Sequence, residues 1–581
     1  TETRTLHTMP GTILGTPAYM SPEQAQGRPL DARSDIFAFG LVVYEMLSGQ
    51  RAFSGDSWVA TIAATLYQEP APLGGINPAV PRPVEECVSR CLRKDPAQRF
   101  AGMAEVRQAL EAKSVDTGED ASSIAVLPFV NLSADRENEY FGDGLAEEII
   151  NALAKVPKLR VIARTSSFAF RSRAQDLRTI GQRLRVATVL DGTVRRAGNR
   201  IRVTAQLICA ADEQHLWSDR YDREMTDIFA IQDEISQAIA DALKVHLAAT
   251  TRPTSNVEAY QHYLHGLYWF QRYTRGSLPK AREGFEQAIR HDPAFAPPYA
   301  GLALFYFGMG ALGVQRMSEM APLAASAARN ALTIDAGLSE AHSILGTLAG
   351  AVDFDWKLSE HHHRLALAAE PAPPLNRVRY GLYFLTPLGR VDDAVAQYRR
   401  ALETDPLSMM VHFVMSFALY SKGQYEDAVR HAAAAVDLYP DYWLVHFAMG
   451  LALLQQGRLE ESIASLETTL RLSPSFTHAA GFLAAAYIRS GGRARADALM
   501  QEIGERAASQ DVSPVCFATC QAALGQADRM LEFLDAAFAD RNPYLTRMDA
   551  EPCFAPYRSD PRYRDLMLRM NLGAAGVPAA S

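Results

Sequence analysis

From about residue 257 onward the chain repeats itself every 34 residues, and this period narrows its possible folds more than any other feature. Gly389, Gly423, Gly457 and Gly491 stand one period apart, as do Pro406, Pro440 and Pro474, while Ala394, Ala428, Ser462 and Ala496 keep the same step. Apolar residues at helical spacing fill the intervals. A unit of this kind, with a small residue between two helices and a proline after the second, leaves an apolar face that only the next unit can cover. Copies must therefore stack, and the stack builds a concave surface of the kind that takes proteins or peptides. Earlier copies are looser: Ala281, Phe285, Ala288 and Pro293 fit one, and Leu345-Gly346 to Pro371 fits another with an insertion around Asp353 to Trp356. About seven or eight units are expected, the last ones degenerate.

That period and residue pattern resemble the tetratricopeptide repeat. The resemblance implies an all-α superhelix over residues 257–575, with protein or peptide partners in its groove.

The remainder is not repetitive. A length of 581 residues implies several domains. Residues 114–122 have no periodicity and many small or acidic side chains, and so read as a linker. Residues 123–250 alternate strands with helices. Ile124 to Phe129 has buried-strand character, Leu145 to Leu153 helical spacing, and Val189 to Arg195 and Arg200 to Ile208 flank Gly198-Asn199, a pair suited to a tight hairpin turn. Ile228 to Leu247 closes this mixed α/β domain as an amphipathic helix.

Charge and cysteine usage exclude several classes. A net charge of −8 does not describe a globally basic nucleic-acid binder. Residues 158–202 hold twelve Lys/Arg against two Asp. They alternate with apolar residues as solvent faces do, so nucleic acid is not the expected partner. Six cysteines in so long a chain form no disulfide framework, which points to a reducing, cytoplasmic setting. No apolar run reaches the length of a membrane-spanning helix. His361-His362-His363 are expected to be exposed helix residues that point about 100° apart and cannot converge on a metal, so no metal site is expected.

The first segment carries the most specific motifs: Gly15-Thr-Pro-Ala-Tyr-Met-Ser-Pro-Glu23, then Ser34-Asp35 with Gly40 five positions on, then Asp95-Pro96-Ala-Gln-Arg99. Residues 1–113 resemble the C-terminal part of the catalytic domain of bacterial Ser/Thr protein kinases, from the activation segment onward. The resemblance implies that Glu23 and Arg99 form a buried ion pair and that Asp35 holds the backbone of the catalytic loop. It also implies that Gly15, Thr16, Pro17 and Tyr19 shape the pocket beside the phosphoacceptor. Thr8 and Thr12 are candidate phosphorylation sites of the activation segment. The Gly-rich loop, the ATP-pairing Lys and the His-Arg-Asp and Asp-Phe-Gly elements precede this region in such kinases, and the chain has none of them. The chain is therefore expected to be a fragment of a longer kinase, with no catalytic residues of its own and inactive alone; ATP and Mg2+ would belong to the intact parent, whose substrates are protein Ser or Thr.

The middle domain resembles the amino-terminal α/β domain of TolB-type proteins through Ser123 to Leu132, Tyr140 to Glu147 and His215 to Asp222. That resemblance implies sensing or docking, not catalysis. The expected fold is multidomain: an α-helical kinase large-lobe fragment, a mixed α/β domain and an all-α tetratricopeptide superhelix. The alternative is a non-catalytic repeat scaffold or sensor that carries a kinase remnant.

Overall fold

The computed structural model describes residues 19–54, 57–77, 80, 82–113, 123–133, 139–171, 176–224, 228–243, 245, 254–272, 277–369, 371–507 and 512–573. It divides into two units, Thr1–Ala121 and Ser122–Ser581.

The first unit is helical: α1 (Pro22–Ala25), α2 (Ala32–Ser48), α3 (Trp58–Tyr67), α4 (Leu73–Ile76), α5 (Arg82–Cys91) and α6 (Met103–Lys113). Ser21 caps α1 through a reciprocal box with Gln24, and Asp31 caps α2. Gly49 ends α2 at φ 69°, in the left-handed conformation a glycine adopts without steric cost. Phe37, Leu41 and Tyr44 of α2 form a core with Phe53, Val88 and Leu92. Gly40 lets α2 and α5 approach closely, since a Cβ there would stand 2.8 Å from Cys91 Cβ.

In the second unit the sheet has the order β3-β1-β4-β5-β6, from β1 (Ser123–Val126), β2 (Val130–Asn131), β3 (Arg160–Val161), β4 (Thr188–Ala197), β5 (Arg200–Cys209) and β6 (His215–Glu224), with β2 paired to β4. β1 runs parallel to β3 and β4, and β4, β5 and β6 are antiparallel neighbours. The expected hairpin is present: Ala197 pairs with Arg200 across Gly198-Asn199, and Gly198 sits at φ 59°. The edge strand β6 falls in a stretch whose charged side chains hide any apolar alternation. Helices α7 (Glu139–Leu153) and α10 (Ile228–Ala242) cover one sheet face. On the other, α8 (Arg164–Phe168) and α9 (Leu177–Leu184) enclose a smaller core that Leu407 and Leu438 of the repeat region complete.

Among the described residues the repeat region builds eight helix pairs: α11 (Val257–Arg272) with α12 (Ser277–His291), α13 (Ala296–Ala311) with α14 (Met317–Ile334), α15 (Ser339–Ala351) with α16 (Trp356–Ala366), α17 (Pro374–Tyr380) with α18 (Val391–Thr404), α19 (Met409–Ser421) with α20 (Tyr425–Leu438), α21 (Trp443–Gln455) with α22 (Leu459–Leu472), α23 (His478–Arg489) with α24 (Arg493–Arg506), and α25 (Pro514–Ala523) with α26 (Ala527–Ala539). Gly389, Gly423, Gly457 and Gly491 all have φ between 72° and 84°, and Gly525 extends the series by one more period. Between successive pairs, the imidazole Nε2 of His342, His412 and His446, on first helices, bonds the carbonyl six residues earlier in the preceding connection, at Ala336, Pro406 and Pro440. After α26 the chain makes two 3-10 turns, Leu545–Ala550 and Pro552–Tyr557, and a last helix, α27 (Pro561–Arg569). These return to the third pair: Trp356 Nε1 donates to Met570 O at 2.9 Å and Asn571 Nδ2 to Phe354 O at 3.0 Å.

One expectation is corrected. His363 is fully buried, not exposed, with its ring against Gly346 and near Tyr380 and Phe384. Burial, with Arg379 and His362 nearby, lowers its pKa to about 3. The buried face of α16 includes its third histidine because the stripe runs through Trp356, Ser359, His363 and Ala366. Among the described residues, no group of His, Cys, Asp and Glu could hold a metal ion, and no helix is long and apolar enough to cross a membrane.

Candidate functional site

The best-built polar node of the first unit joins the residues just after the activation segment to the turn before α6. The Arg99 guanidinium donates from both terminal nitrogens to Glu23, at 2.7 Å and 2.9 Å. Its remaining donors reach the carbonyls of Arg33, Arg93 and Lys94, and Ser34 Oγ donates to Glu23 Oε1 at 2.7 Å. Phe37 lies beneath the guanidinium, 4.7 Å from ring centre. Such a planar fork, satisfied on every side, is a task for Arg and not Lys. Both side chains are buried. Burial alone would raise the Glu23 carboxyl, but the bonds from Arg99 and Ser34 outweigh it and hold the pKa at about 2.

The other expected kinase residues are placed as follows. Tyr19 donates its hydroxyl to Glu45 at 2.7 Å. Asp35 stands exposed on the first turn of α2, without a hydrogen-bond partner among the described residues. About two turns and three turns further on, Val42 is 45 % and Met46 79 % exposed. Asp35, Phe39, Val42 and Met46 share one helix face; Phe39 packs on the core beside Cys87, Cys91 and Phe100, while Asp35, Val42 and Met46 are left exposed among the described residues. Thr8, Thr12, Gly15, Thr16 and Pro17 lie outside the described residues. Of the two carboxylates that the kinase resemblance singles out, Glu23 is committed to Arg99 and Asp35 is exposed.

In the second unit the α/β domain and the repeats meet along two seams. In the first, α11 lies against α7 and α10: Gly144 faces Leu264 so closely that a Cβ would clash, and Gln232 Nε2 donates to Tyr260 Oη at 3.0 Å. In the second, the turn after α18 closes on α8. Ser166 donates to Asp405 Oδ1 from its backbone nitrogen at 3.0 Å and from Oγ at 2.5 Å, Leu407 N donates to Ser166 Oγ at 2.8 Å, and Ala163 N donates to Thr404 O at 2.7 Å. Asp405 is buried, and burial pushes its carboxyl up to about 6 against the lowering effect of Ser166. Sequence reasoning did not find this seam. The signal was present in the period itself: Asp405, Tyr439 and Ser473 occupy one register position, and only the first is charged.

The basic stretch is partly spent on internal pairs. Arg164 and Arg171 meet Asp143 and Glu147, and Arg200 and Arg202 share Asp222. In the array, side chains of α19, α21, α23 and α25 line one cavity together with the chain's own Tyr544, Arg547, Met548, Glu551 and Phe554. Tyr420 Oη donates to Glu551 at 2.9 Å inside it.

Comparison with known proteins finds three matches along the chain. Residues 3–113 match the protein kinase domain, residues 387–442 and 415–475 match the tetratricopeptide repeat, and residues 120–257 match the second domain of the HilA/YgeH-like transcriptional regulators, a different description from the TolB-type one. Among curated proteins, the chain is 43% identical over 188 residues to "Putative adenylate cyclase 3" of Rhizobium meliloti, covering 31% of this chain and 32% of that protein. It is 39% identical over 101 residues to the serine/threonine-protein kinase Pkn1 of Myxococcus xanthus, covering 17% of this chain and 15% of that protein. The chain thus spans about a third or less of these relatives. Among solved structures, YrrB, a TPR protein with an unusual peptide-binding site, aligns at 20% identity and a TM-score of 0.23, over 33% of this chain and 94% of its own. The chain carries a protein kinase domain segment of the bacterial Ser/Thr type at its N-terminus and tetratricopeptide repeats in its C-terminal region.

Proposed function

We propose that this chain is the substrate-facing and docking portion of a Ser/Thr protein kinase, which in its intact form transfers the γ-phosphoryl group of ATP, with Mg2+, to protein Ser or Thr. The repeats would recruit protein partners and the α/β domain would sense or relay. The observation that carries this reading is the contrast within the first unit. The Glu23–Arg99 node is complete, while Asp35, Val42 and Met46 stand exposed along α2 among the described residues, as they would if the catalytic-loop half of the large lobe belonged there. In a kinase, catalysis is mainly positioning and charge stabilisation by the elements that the sequence here lacks, so this chain is inactive alone. The buried thiols of Cys87, Cys91, Cys516 and Cys520 suit a reducing, cytoplasmic setting.

The test is phosphoryl transfer from radiolabelled ATP by this chain, beside the same chain extended upstream to carry the Gly-rich loop and catalytic loop. Transfer by the extended protein alone supports the reading. Transfer by neither favours a repeat scaffold that carries a kinase remnant.

A further inference from the structure

First helices of four successive pairs, α19, α21, α23 and α25, contribute Phe413, Phe417, Phe447, Phe482 and Val515 to one apolar cleft. A foreign peptide would lie on such a surface, yet residues 542–557 fill it. Leu545, Met548 and Phe554 anchor the segment, each no more than 1% exposed. The polar residues between the anchors are less well served. Arg547 is 5% exposed and its guanidinium lies over the rings of Tyr544, Phe417 and Tyr383, at 4.5 Å, 5.4 Å and 5.7 Å. Its Nε has no hydrogen-bond partner, and no carboxylate of a described residue forms an ion pair with it. Glu551 is bonded by the Tyr420 hydroxyl, and the cleft wall adds His478, whose Nδ1 is also unpartnered.

A segment that served only to fill a core would be apolar at 547 and 551, because well-packed apolar residues replace buried charges at no loss or with a gain in stability. Incompletely satisfied charges weaken the grip of the segment. They also give the cleft something to read: a flat aromatic cage for a guanidinium and a phenol for a carboxylate.

We propose that residues 542–557 are a resident ligand of this cleft, and that its external partner is a peptide with the same pattern, an aromatic residue, an arginine three positions on and a carboxylate four further, which binds by displacing them. This rests on the reading of the repeats as a docking region.

The probe is a fluorescein-labelled peptide of residues 542–557, titrated by anisotropy into the full chain and two variants of it. Phe554→Ala removes an anchor and should bind the peptide at least tenfold more tightly than the unaltered chain. The double variant Arg547→Leu/Glu551→Gln relieves the buried charges, and should bind at least tenfold more weakly. A Phe554→Ala chain that keeps its near-ultraviolet dichroism and still excludes the peptide overturns the proposal. Should that variant not fold, equal affinity of the unaltered chain and the double variant overturns it, and the expected tenfold difference supports it. Neither result touches the kinase reading, which phosphoryl transfer decides.

Discussion

Two buried glutamates carry opposite pH signatures, and the difference lies in what faces them. At Glu23, burial raises the carboxyl but the Arg99 fork and Ser34 more than offset it, and the group settles at about 2, below its ordinary 4.5. Its contribution to stability is complete above about pH 4.5 and is lost as pH falls toward 2. Glu23→Gln leaves the Arg99 guanidinium buried without its charge partner and should destabilise the first unit by about 3–5 kcal/mol. Amide exchange of residues 19–113 in the full chain, compared at pH 7, reads this; unchanged protection would refute it. At Glu551, burial dominates over Tyr420 and Arg547 and pushes the carboxyl up to about 7. The folded state then holds a proton that the unfolded state has released, so stability falls as pH rises from about 4.5 to 7. Glu551→Gln should abolish that fall, with a gain on the order of 3 kcal/mol at pH 8. Denaturant midpoints of both chains at pH 5 and pH 8 check it.

Helix pairs depend on glycine in two ways that substitution separates. Gly457 ends a helix at φ 76° with open space around it, so Gly457→Ala should cost about 1 kcal/mol of backbone strain and no packing. Gly481 has ordinary helical geometry but faces the next pair, and a Cβ would stand 2.3 Å from Cys516 O, a backbone atom that cannot turn aside. Gly481→Ala should cost more, about 1–3 kcal/mol, visible as a lower urea midpoint than that of Gly457→Ala. The sequence displays the first kind openly, because a turn glycine recurs with the period. The second depends on which helix lies opposite, and no spacing reports it. The same limit explains what else could be read. The 34-residue step follows from local pattern and the hairpin at Gly198-Asn199 from its turn residues, while the Glu23–Arg99 pairing, 76 residues apart, was implied only by the resemblance to the kinases. Residues 542–557 have no period, and β6 has no apolar alternation, so the segment filling the cleft and the edge strand emerge only from tertiary packing. His363 was misread because three adjacent histidines suggest polarity, while its place in the stripe with Trp356 and Ala366 decided its burial.

In the second unit, the sheet and the repeats share a core, and the linkage bears on how any signal would pass between them. Leu407, in the turn after α18, and Leu438, the last residue of α20, close the smaller core of the α/β domain, and α11 packs against α7 and α10 on its other face. An array built only from nearest-neighbour contacts could fray from either end; this one is tied to a second domain at its first helix and again at the turn after α18. The second tie is polar at its centre. Asp405→Ala removes the acceptor of both Ser166 bonds and should free residues 160–171 from Thr404–Leu407, raising amide exchange there by tenfold or more while α21 to α26 stay protected. Asp405→Asn keeps an oxygen in the same place, and should preserve the seam. It also removes the penalty that a carboxyl raised to about 6 imposes as pH climbs from about 4 to 6, so this variant should match the unaltered chain at pH 4 and exceed it in stability at pH 7. Equal exchange in the alanine variant and the unaltered chain would show that Leu407 and Leu438 hold the seam by apolar contact alone.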